Sequence, residues 1–400
     1  MLRLLMAFLG FFSIILYSIG QNPHQTSIER EGHLFVDSLL LTNGDSTLIE
    51  VEKIAFTGNK ITHPSIIGRE ILFNTGDSLR INDLIVKAEQ SRKNLLNISL
   101  FNFVDVSLDK SLDGNVIVTF GFVERWYIWP FPVFEIDERN FNEWWDNKNL
   151  QKANYGAYIT WENFRGRREK LSLLARAGYN QRYGLAYQAP FINKRKTIGL
   201  TFSGGFSRSK EVNFLTSDNK QLFLKHPQMF LKQEWYLNLK ASYRHGIFNS
   251  HALSLTMNNF HYADTILSLN PLFTPNGESD FSYFSLIYEF KSDHRDIKAY
   301  PLKGYYWDFS ASRHGLDLLK NENINVLYFM ANVRKYWEYN PNHHFALGSV
   351  IKYAPISKQP YFIQQGLGFQ RNLVRGYEYY VIDGQSFVVL KSNYKYTLLP

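Results

Sequence analysis

Apolar and polar residues alternate with a period of two along much of the chain after Trp126. The stretch KQEWYLNLKASYR, residues 232–244, is an example, and its apolar positions are Trp235, Leu237, Leu239, Ala241 and Tyr243. Because successive side chains of a β-strand point to opposite faces, such a strand has one apolar face and one polar face. Lipid on one face and water on the other is typical of a transmembrane β-barrel, although a soluble β-sandwich alternates in the same way.

The alternation predicts twelve strands in this part of the chain. Many are long enough for the roughly 9 to 11 residues of a tilted spanning strand, and aromatic residues concentrate near their ends, which favours the barrel. Tight connections, such as RGRRE after Phe164, alternate with long ones at 211–231 and 264–280, as expected for short periplasmic turns and long outer loops. The predicted strands cover residues 127–139, 152–164, 169–180, 182–192, 196–210, 232–246, 249–263, 281–293, 303–315, 323–338, 343–354 and 385–398.

Residues 48–125 carry a different, mixed pattern. The apolar residues of VEKIAFTGN, residues 51–59, predict a strand that ends in a turn at Gly58 and Asn59. Two helical segments and a strand hairpin follow. The segment is therefore predicted to be a compact α+β domain with the order strand, helix, helix, strand, strand.

The two helices have recognisable start signals. Thr62 is expected to cap the first helix, where Pro64 is acceptable in the first turn. The pair Asn82 and Asp83 is expected to open the second and longer helix, whose apolar residues fall on one stripe. The hairpin then turns at Gly114.

The first twenty residues have the pattern of a secretory signal peptide. Arg3 gives a basic start, Leu4–Leu16 is almost wholly apolar, and the small residue Gly20 precedes polar sequence. The apolar run is too short to span a bilayer as an anchor. We therefore expect residues 1–20 to be a signal peptide and residues 21–47 to be a linker.

Composition narrows the class of protein further. The 400-residue chain has no cysteine, which excludes a disulfide scaffold, a thiolate zinc site and a cysteine nucleophile. Its mean hydropathy is −0.27, and no stretch after residue 20 approaches the roughly 18 apolar residues of a spanning helix, which excludes a polytopic helical membrane protein. The net charge of +8 includes no long basic run, so nucleic acid is not an expected partner of this exported chain.

Three segments of the α+β domain carry a family resemblance. VEKIAFTGNK at 51–60, NLLNISLFNFVDVSLD at 94–109 and VIVTFGFVER at 116–125 resemble a POTRA repeat, the periplasmic module of the BamA/TamA and surface-antigen superfamily. The resemblance implies a mainly β protein with a POTRA-like domain at 48–125 and an antiparallel transmembrane β-barrel from residue 126 to residue 400. POTRA domains receive extended segments by strand addition to a sheet edge, and no side chain here indicates a specific ligand.

The segment DHRDIKAYPLKGYYW, residues 293–307, resembles the superfamily motif that joins two barrel strands across a tight turn. Its characteristic residues are Asp293, Arg295, Asp296, Pro301 and Gly304. A charged turn in which proline and glycine set the backbone conformation is the alternative explanation.

A second motif, VRGY, lies between the eleventh and twelfth predicted strands. Val374, Arg375, Gly376 and Tyr377 resemble the VRGF/Y motif at the tip of the superfamily's sixth extracellular loop. In that family the loop folds into the lumen and the matching arginine pairs with acidic groups on the inner wall. Arg375 suits this role because a guanidinium offers a planar fork of donors and keeps its charge. A solvated loop is the alternative.

The chain departs from the superfamily pattern in strand number. The family closes a sixteen-stranded barrel, whereas only twelve strands are predicted before the ending YKYTLLP. Proline cannot donate to a closing ladder, so Pro400 is an unusual end for a last barrel strand. We expect residues 126–400 to be an incomplete barrel with a truncated C-terminus, and closure with twelve strands is the alternative.

No catalytic motif is apparent, and an enzyme is not expected. The sequence lacks a G-x-S-x-G elbow, a Walker loop and an H-E-x-x-H motif. The adjacent His343 and His344 would point to opposite faces of a strand, which makes them poor joint metal ligands. The same reasoning applies to Asp293 and Asp296 as an acid/base pair, so neither a metal nor another cofactor is expected.

These features and the resemblance together predict a bacterial outer-membrane protein with its POTRA-like domain in the periplasm. Its expected role is to assist insertion or translocation of proteins by capturing unfolded strands at the POTRA edge and using the barrel wall, without a cofactor. The expected partners are the lipid bilayer, unfolded outer-membrane or secreted proteins, and periplasmic accessory proteins. The alternative is a passive channel or a surface antigen that binds a ligand through its long loops.

Overall fold

The computed structural model describes residues 33–37, 48–136, 152–193, 195, 197–246, 248–296, 300–320, 322–356, 358–364, 366–369 and 380–397. The chain divides into two compact units, Met1–Arg125 and Trp126–Pro400, called the first and second unit below. The predicted signal peptide and most of the predicted linker lie outside the described residues. Within the described ranges, no helix is both long and apolar enough to cross a membrane.

The first unit is a five-stranded sheet with two helices. In the sheet the strand order is β1-β4-β5-β2-β3. The strands β4 and β5 form an antiparallel hairpin, β2 runs parallel to β5, and β1 runs parallel to β4. The elements in chain order are β1 (Leu34–Val36), β2 (Leu48–Thr57), α1 (Pro64–Ile67) with a following 3-10 turn (Gly68–Glu70), β3 (Ser78–Arg80), α2 (Ile81–Asn97), β4 (Phe101–Lys110) and β5 (Val116–Glu124).

The core of this unit lies between the sheet and α2. On α2, Leu84, Ala88 and Leu95 recur at helical spacing, and all three are fully buried. On β4 and β5, every second residue over part of each strand is buried, as expected for a sheet with one covered face. The fully buried residues of these two strands include Val104, Val106, Leu108, Val116, Val118 and Phe120.

Both predicted helix starts are wrong in detail. Position 63, not Thr62, is the N-cap of α1, and no side chain caps this helix. The backbone N–H of Thr62 instead donates to the Glu124 carboxylate at 2.6 Å, and this tertiary contact holds Thr62 one position before the N-cap. The longer helix begins at Ile81, before Asn82 and Asp83, and the Asp83 side chain accepts from Arg80 at 2.9 Å.

The second unit contains the twelve predicted strands in one antiparallel sheet. Their order follows the chain from one edge to the other, with β10 next to β13, because β11 and β12 form a separate hairpin. The strands are β6 (Ile128–Ile136), β7 (Ala153–Phe164), β8 (Glu169–Gly178), β9 (Gln181–Ala189), β10 (Ile198–Ser209), β11 (Glu211–Ser217), β12 (Lys220–Lys225), β13 (Lys232–His245), β14 (Asn249–Tyr262), β15 (Asp280–Asp293), β16 (Gly304–His314), β17 (Val326–Asn340), β18 (His343–Tyr353) and β19 (Phe387–Tyr396).

The two faces of this sheet differ as the alternation predicts. On β13, Leu237 and Leu239 are 47% and 52% exposed, although both are leucines. The intervening Asn238 donates from Nδ2 to Thr256 Oγ1 on β14 at 2.6 Å, and Lys240 pairs with Glu289 on β15. One face is therefore apolar and open, whereas the other carries hydrogen-bonded polar residues.

The two ends of the sheet also differ. Short turns at 165–168, 246–248 and 341–342 lie at the end that we call the short-turn end. The opposite, long-loop end carries the β11–β12 hairpin and helix α3 (Asp264–Leu269), which fill two connections predicted only as loops. An apolar cluster packs there, and it includes Val212, Leu231, Phe260, Tyr262, Ile266, Phe273, Phe281, Tyr283, Ile324 and Val326.

Candidate functional site

The β4 edge of the first unit is paired with a segment that we expected to be linker. The N–H of Val106 donates to the His33 carbonyl and the N–H of Asp37 donates to the Leu108 carbonyl, each at 3.0 Å. The His33 N–H also donates to the Asp105 carboxylate at 3.0 Å. Residues 33–37 therefore add a parallel strand to this edge, in the manner in which a sheet accepts an extended peptide.

The predicted turn at Gly58 and Asn59 lies at the end of β2, where β2 packs closely against β5. Gly58 has a φ of +83°, and a Cβ at this position would lie 2.1 Å from the Phe122 carbonyl oxygen. The Asn59 amide donates to the Thr62 carbonyl at 3.1 Å. Only glycine allows this approach of β2 to β5, so the turn positions the strands and presents no chemistry of its own.

The β6 edge of the second unit has an unusual set of backbone groups. Among the described residues, β6 is paired only with β7. The N–H of Glu162 donates to the Tyr127 carbonyl at 2.7 Å, and these two residues are opposite each other in the register. Odd-numbered residues of β6 therefore bond to β7, and even-numbered residues point their backbone groups away from it.

Two of those even-numbered residues are prolines. Pro130 and Pro132 stand in the middle of β6, opposite Ile159 and Ala157. Proline has no backbone N–H, so the outer edge of β6 offers its carbonyls but lacks two central donors. These prolines were not among the predicted site residues, although a proline within a strand is itself a sign of an edge strand.

The predicted turn motif forms one bonded group between β15 and β16. Arg295 donates from Nε and Nη2 to the two carboxylate oxygens of Asp293 at 2.8 and 2.9 Å, and both side chains are mostly buried. The Leu302 N–H donates to Asp296 Oδ1 at 3.2 Å. Asp293 and Asp296 thus stabilise the turn rather than facing one another.

The last two motif residues shape the same turn. Gly304 has a φ of +104°, and a Cβ there would lie 2.1 Å from the His294 carbonyl oxygen. The Pro301 carbonyl accepts from Lys395 Nζ at 3.1 Å. Because Lys395 belongs to β19, which is three strands from β16 in the sheet order, this bond joins the turn to a strand that is not its neighbour. Residues 297–299 lie outside the described part of this turn.

The predicted loop motif, Val374 to Tyr377, lies outside the described residues, but both shoulders of its loop are described. On the first shoulder, the N–H groups of Tyr361 and Phe362 donate to the carbonyls of Leu272 and Phe273 at 3.0 and 3.2 Å. The Phe362 ring centroid lies 5.3 Å from that of Phe281 in the apolar cluster. This shoulder is therefore bound to the long-loop end of the sheet.

The second shoulder is bound to the β11–β12 hairpin. The Thr216 hydroxyl donates to Asp383 Oδ1 at 3.0 Å and lies 2.7 Å from the Tyr361 hydroxyl, which joins the two shoulders. The Val381 N–H donates to the Asn219 carbonyl at 2.8 Å. Burial raises the pKa of the Asp383 carboxyl above its ordinary value, and the Thr216 hydrogen bond opposes the shift.

The histidine pair takes up two separate structural roles. The His343 ring bonds to the Tyr394 hydroxyl on β19, while His344 is buried and its Nε2 lies 3.2 Å from the Pro341 carbonyl. In the described part of the chain, no group of three or more histidine, aspartate or glutamate side chains is placed to hold a metal ion.

Comparison with known proteins identifies the first unit. Residues 49–125 match the POTRA family, described as "Surface antigen variable number repeat". No curated protein matches the chain. The match and the sheet order described above show that this segment is a POTRA domain, as its sequence resemblance predicted.

Comparison with solved structures finds a similar fold. BamA from Haemophilus ducreyi lacking POTRA domains 1–3 is similar with a TM-score of 0.52 at 17% identity, over 82% of this chain and 60% of that one. Two CdiB structures are also similar. The protein from Acinetobacter baumannii has a TM-score of 0.47 at 13% identity over 88% of this chain and 61% of that one, and the protein from Escherichia coli has 0.49 at 11% over 88% and 62%. This chain thus spans about 60% of the length of the BamA chain.

Proposed function

We propose that this chain, a POTRA domain followed by a BamA-like β-barrel sheet, assists the insertion or translocation of proteins at the bacterial outer membrane. The POTRA domain lies in the periplasm in this proposal. The observation that carries it is the combination of a peptide-accepting sheet edge in one unit with a large, outwardly apolar sheet in the other. Either unit alone would fit many functions, whereas an unfolded β-rich client needs both a place to pair and a wall along which to enter lipid.

The exposed apolar face supports the membrane location. Large side chains are open along successive strands, such as Leu239 on β13, Leu253 on β14 and Trp307 on β16. A soluble protein rarely exposes a contiguous apolar patch of this extent. In a bilayer the same face is buried in lipid, while the hydrogen-bonded polar face lines the interior.

The proposed mechanism is passive and uses no cofactor or nucleotide. An extended client segment pairs with the edge of the POTRA sheet, whose backbone groups bind strands of varied sequence. At the second sheet, the proline-blunted edge of β6 forms a weak seam where a client strand can enter. Burial of the client's apolar residues in the bilayer then provides the driving force. In this scheme the side chains organise edges and turns, and none acts as a catalyst.

The loop that contains VRGY has a positioning role in this proposal. The two described shoulders of this loop are bound at Tyr361 and Val381, at the long-loop end of the sheet. We place Arg375 inside the lumen, where a paired guanidinium would hold the loop. Arg375→Ala should then raise protease cleavage between residues 357 and 384 and lower assembly activity, and Arg375→Lys should restore them only in part. Unchanged cleavage and activity would mean a solvated loop.

Fractionation tests the proposed location. The mature chain should sediment with outer membranes and migrate differently on gels before and after heating in detergent. Unfolded outer-membrane proteins should copurify with it when assembly is slowed. Recovery in the soluble periplasmic fraction would contradict the membrane location. Recovery with the outer membrane but without any client protein would agree with that location and contradict the assembly role.

The alternative role, a passive channel or ligand-binding surface antigen, has a distinct expectation. A channel needs a continuous polar interior, whereas the long-loop end of this sheet carries an apolar aromatic cluster around Phe260, Phe281 and Phe362. This cluster supports the assembly role over free conduction. Planar-bilayer recordings separate the two, because steady open conductance with no effect on client assembly would favour the channel.

A further inference from the structure

We infer that residues 33–37 are a displaceable internal ligand of the POTRA sheet, which covers the β4 edge until an extended segment of a client protein replaces it. The inference rests on the proposed function for the nature of the client. The observation that residues 33–37 cover this edge does not depend on that function, because their backbone hydrogen bonds to Val106 and Leu108 are present in the structure.

The covered edge is a binding site because of what β4 contributes. Val104, Val106 and Leu108 are fully buried, so β4 is fixed firmly in the domain core. A fixed strand whose backbone donors and acceptors face outward is a template for any further strand. With the cover in place, the outer edge of the sheet is a strand of only three residues, which limits unspecific pairing. A client must therefore compete with the cover for β4.

The covering strand is short relative to the strand it covers. The register pairs only Leu34, Phe35 and Val36 with β4, which is 10 residues long. Phe35 is 57% exposed, so more than half of this residue remains in contact with solvent. A longer client strand can pair with more of β4 than the covering strand does, which gives it an advantage in hydrogen bonds and in buried surface.

The tether compensates for this shortness. Residues 38–47 connect the covering strand to β2 in the same chain. A strand held through a short connection competes at an effective concentration of roughly millimolar, far above that of a free client. The covering strand forms few pairs but has a high local concentration. Weakly binding peptides therefore do not displace it, whereas long strands that pair with more of β4 do.

The geometry also defines the segment that fits. The covering strand runs parallel to β4, and Leu34 and Val36 share one face while Phe35 points to the other. A replacing segment should therefore run parallel to β4 and alternate apolar residues with a period of two. Unfolded outer-membrane strands have that pattern, as β13 of this chain itself shows.

Backbone parity provides a matched pair of variants. His33 and Asp37 form backbone hydrogen bonds to β4. Because every second residue of a strand directs its backbone groups to the same neighbour, Phe35 also directs its N–H to β4. Val36 directs its N–H away from β4. Phe35→Pro removes a pairing donor, and Val36→Pro, the control, introduces the same ring without removing one. A locked form, Phe35→Cys with Ser107→Cys, joins register partners in a chain that has no other cysteine.

The test measures binding of a fluorescent peptide with the sequence of residues 232–245 to the full chain in detergent. Phe35→Pro should bind the peptide about fivefold more tightly than the unmodified chain, the factor expected for one lost backbone hydrogen bond, and Val36→Pro should differ little. The oxidised double-cysteine form should bind about tenfold more weakly or not at all, and reduction should restore binding.

Two contrary results have different meanings. Equal binding by all forms, including the oxidised one, would overturn the internal ligand and leave strand capture by the domain standing. Absence of binding by every form, including Phe35→Pro, would overturn both this inference and the capture step of the proposed function.

Discussion

The two sheets of this protein protect their edges in different ways. In the POTRA domain, the β4 edge keeps its full set of backbone groups and is covered by the separate segment 33–37. In the second unit, the β6 edge lacks two central donors because Pro130 and Pro132 occupy positions that point outward. The first edge can be exposed again when residues 33–37 leave it, whereas the second lacks two donors permanently. A covering strand leaves the backbone donors and acceptors of the edge in place, and proline removes donors.

This difference assigns different tasks to the two edges in the proposed function. An edge that is complete once uncovered can hold an extended client along several residues. An edge with missing donors can make only an interrupted ladder with any neighbour, so it separates at lower cost. Holding and opening are the two requirements of a passive insertion device, and the comparison locates them in separate sheets.

The largest effect is expected from breaking the POTRA sheet that presents the first edge. Gly58→Ala combines a positive φ with a Cβ 2.1 Å from the Phe122 carbonyl oxygen, so the domain should lose about 3 kcal/mol of its free energy of unfolding. Gly114→Ala is the control, because Gly114 has a similar φ but no atom within 4 Å, and it should lose about 1 kcal/mol. Hydrogen exchange over residues 48–125 in the full chain measures both. Equal losses would mean that the close approach at Gly58 is not needed.

An intermediate effect is expected from restoring the missing backbone donors of β6, which makes this edge as complete as the β4 edge. Pro130→Ala with Pro132→Ala restores two outward donors on β6, and each bond that they form should stabilise the seam by about 1 kcal/mol. The temperature at which the barrel changes its gel migration should rise, and client assembly should slow. The reciprocal variant, Phe131→Pro, removes a donor that bonds to β7 and should lower that temperature. A rise in assembly rate with the double alanine variant would contradict the seam.

The smallest effect is expected from the pH dependence of the loop shoulders. Burial raises the pKa of Asp383, so the folded shoulder holds the protonated carboxyl more strongly than the unfolded chain does. Stability from this group is therefore present at low pH and is lost as pH rises through the raised pKa. Cleavage between residues 357 and 384 should be slower at pH 4 than at pH 7, because pH 4 is close to the ordinary pKa of an aspartate, where this pH dependence begins. Asp383→Asn should reduce this dependence while the control Asp280→Asn, on β15, should not.

The long strands could be predicted from the sequence because their alternation persists over about ten residues. All twelve strands of the second sheet lie where the period of two predicted them, and β13 is an example at Lys232–His245 against a prediction of 232–246. Strands of three residues, such as β1 and β3, contain too few positions to establish a period. The β11–β12 hairpin was missed because a long connection gives no local sign of whether its strands pair.

The candidate edges depend on tertiary information that the sequence does not contain. The prolines of β6 are visible in the sequence, but the direction of their missing donors follows only from the pairing of Tyr127 with Glu162. The first helix start was placed one residue early, at Thr62, and the contact that holds this segment, from the Thr62 N–H to the Glu124 carboxylate, joins residues far apart in the sequence. The motif residues Asp293 to Gly304 were predicted as a group, whereas the contact from Lys395 to Pro301 was not.

The central claim is that a client contacts both edges, and site-specific photocrosslinking tests it most directly. A photoreactive phenylalanine derivative would replace Phe103 on β4 and Phe134 on β6, which are 38% and 68% exposed, and controls would replace Val86 on α2 and Leu255 on β14, which are 69% and 38% exposed. With an unfolded outer-membrane protein added to the chain in liposomes, crosslinks should form at Phe103 and Phe134 and be weak at the controls. Equal yields at all four positions, or none at the two edges, would contradict the account.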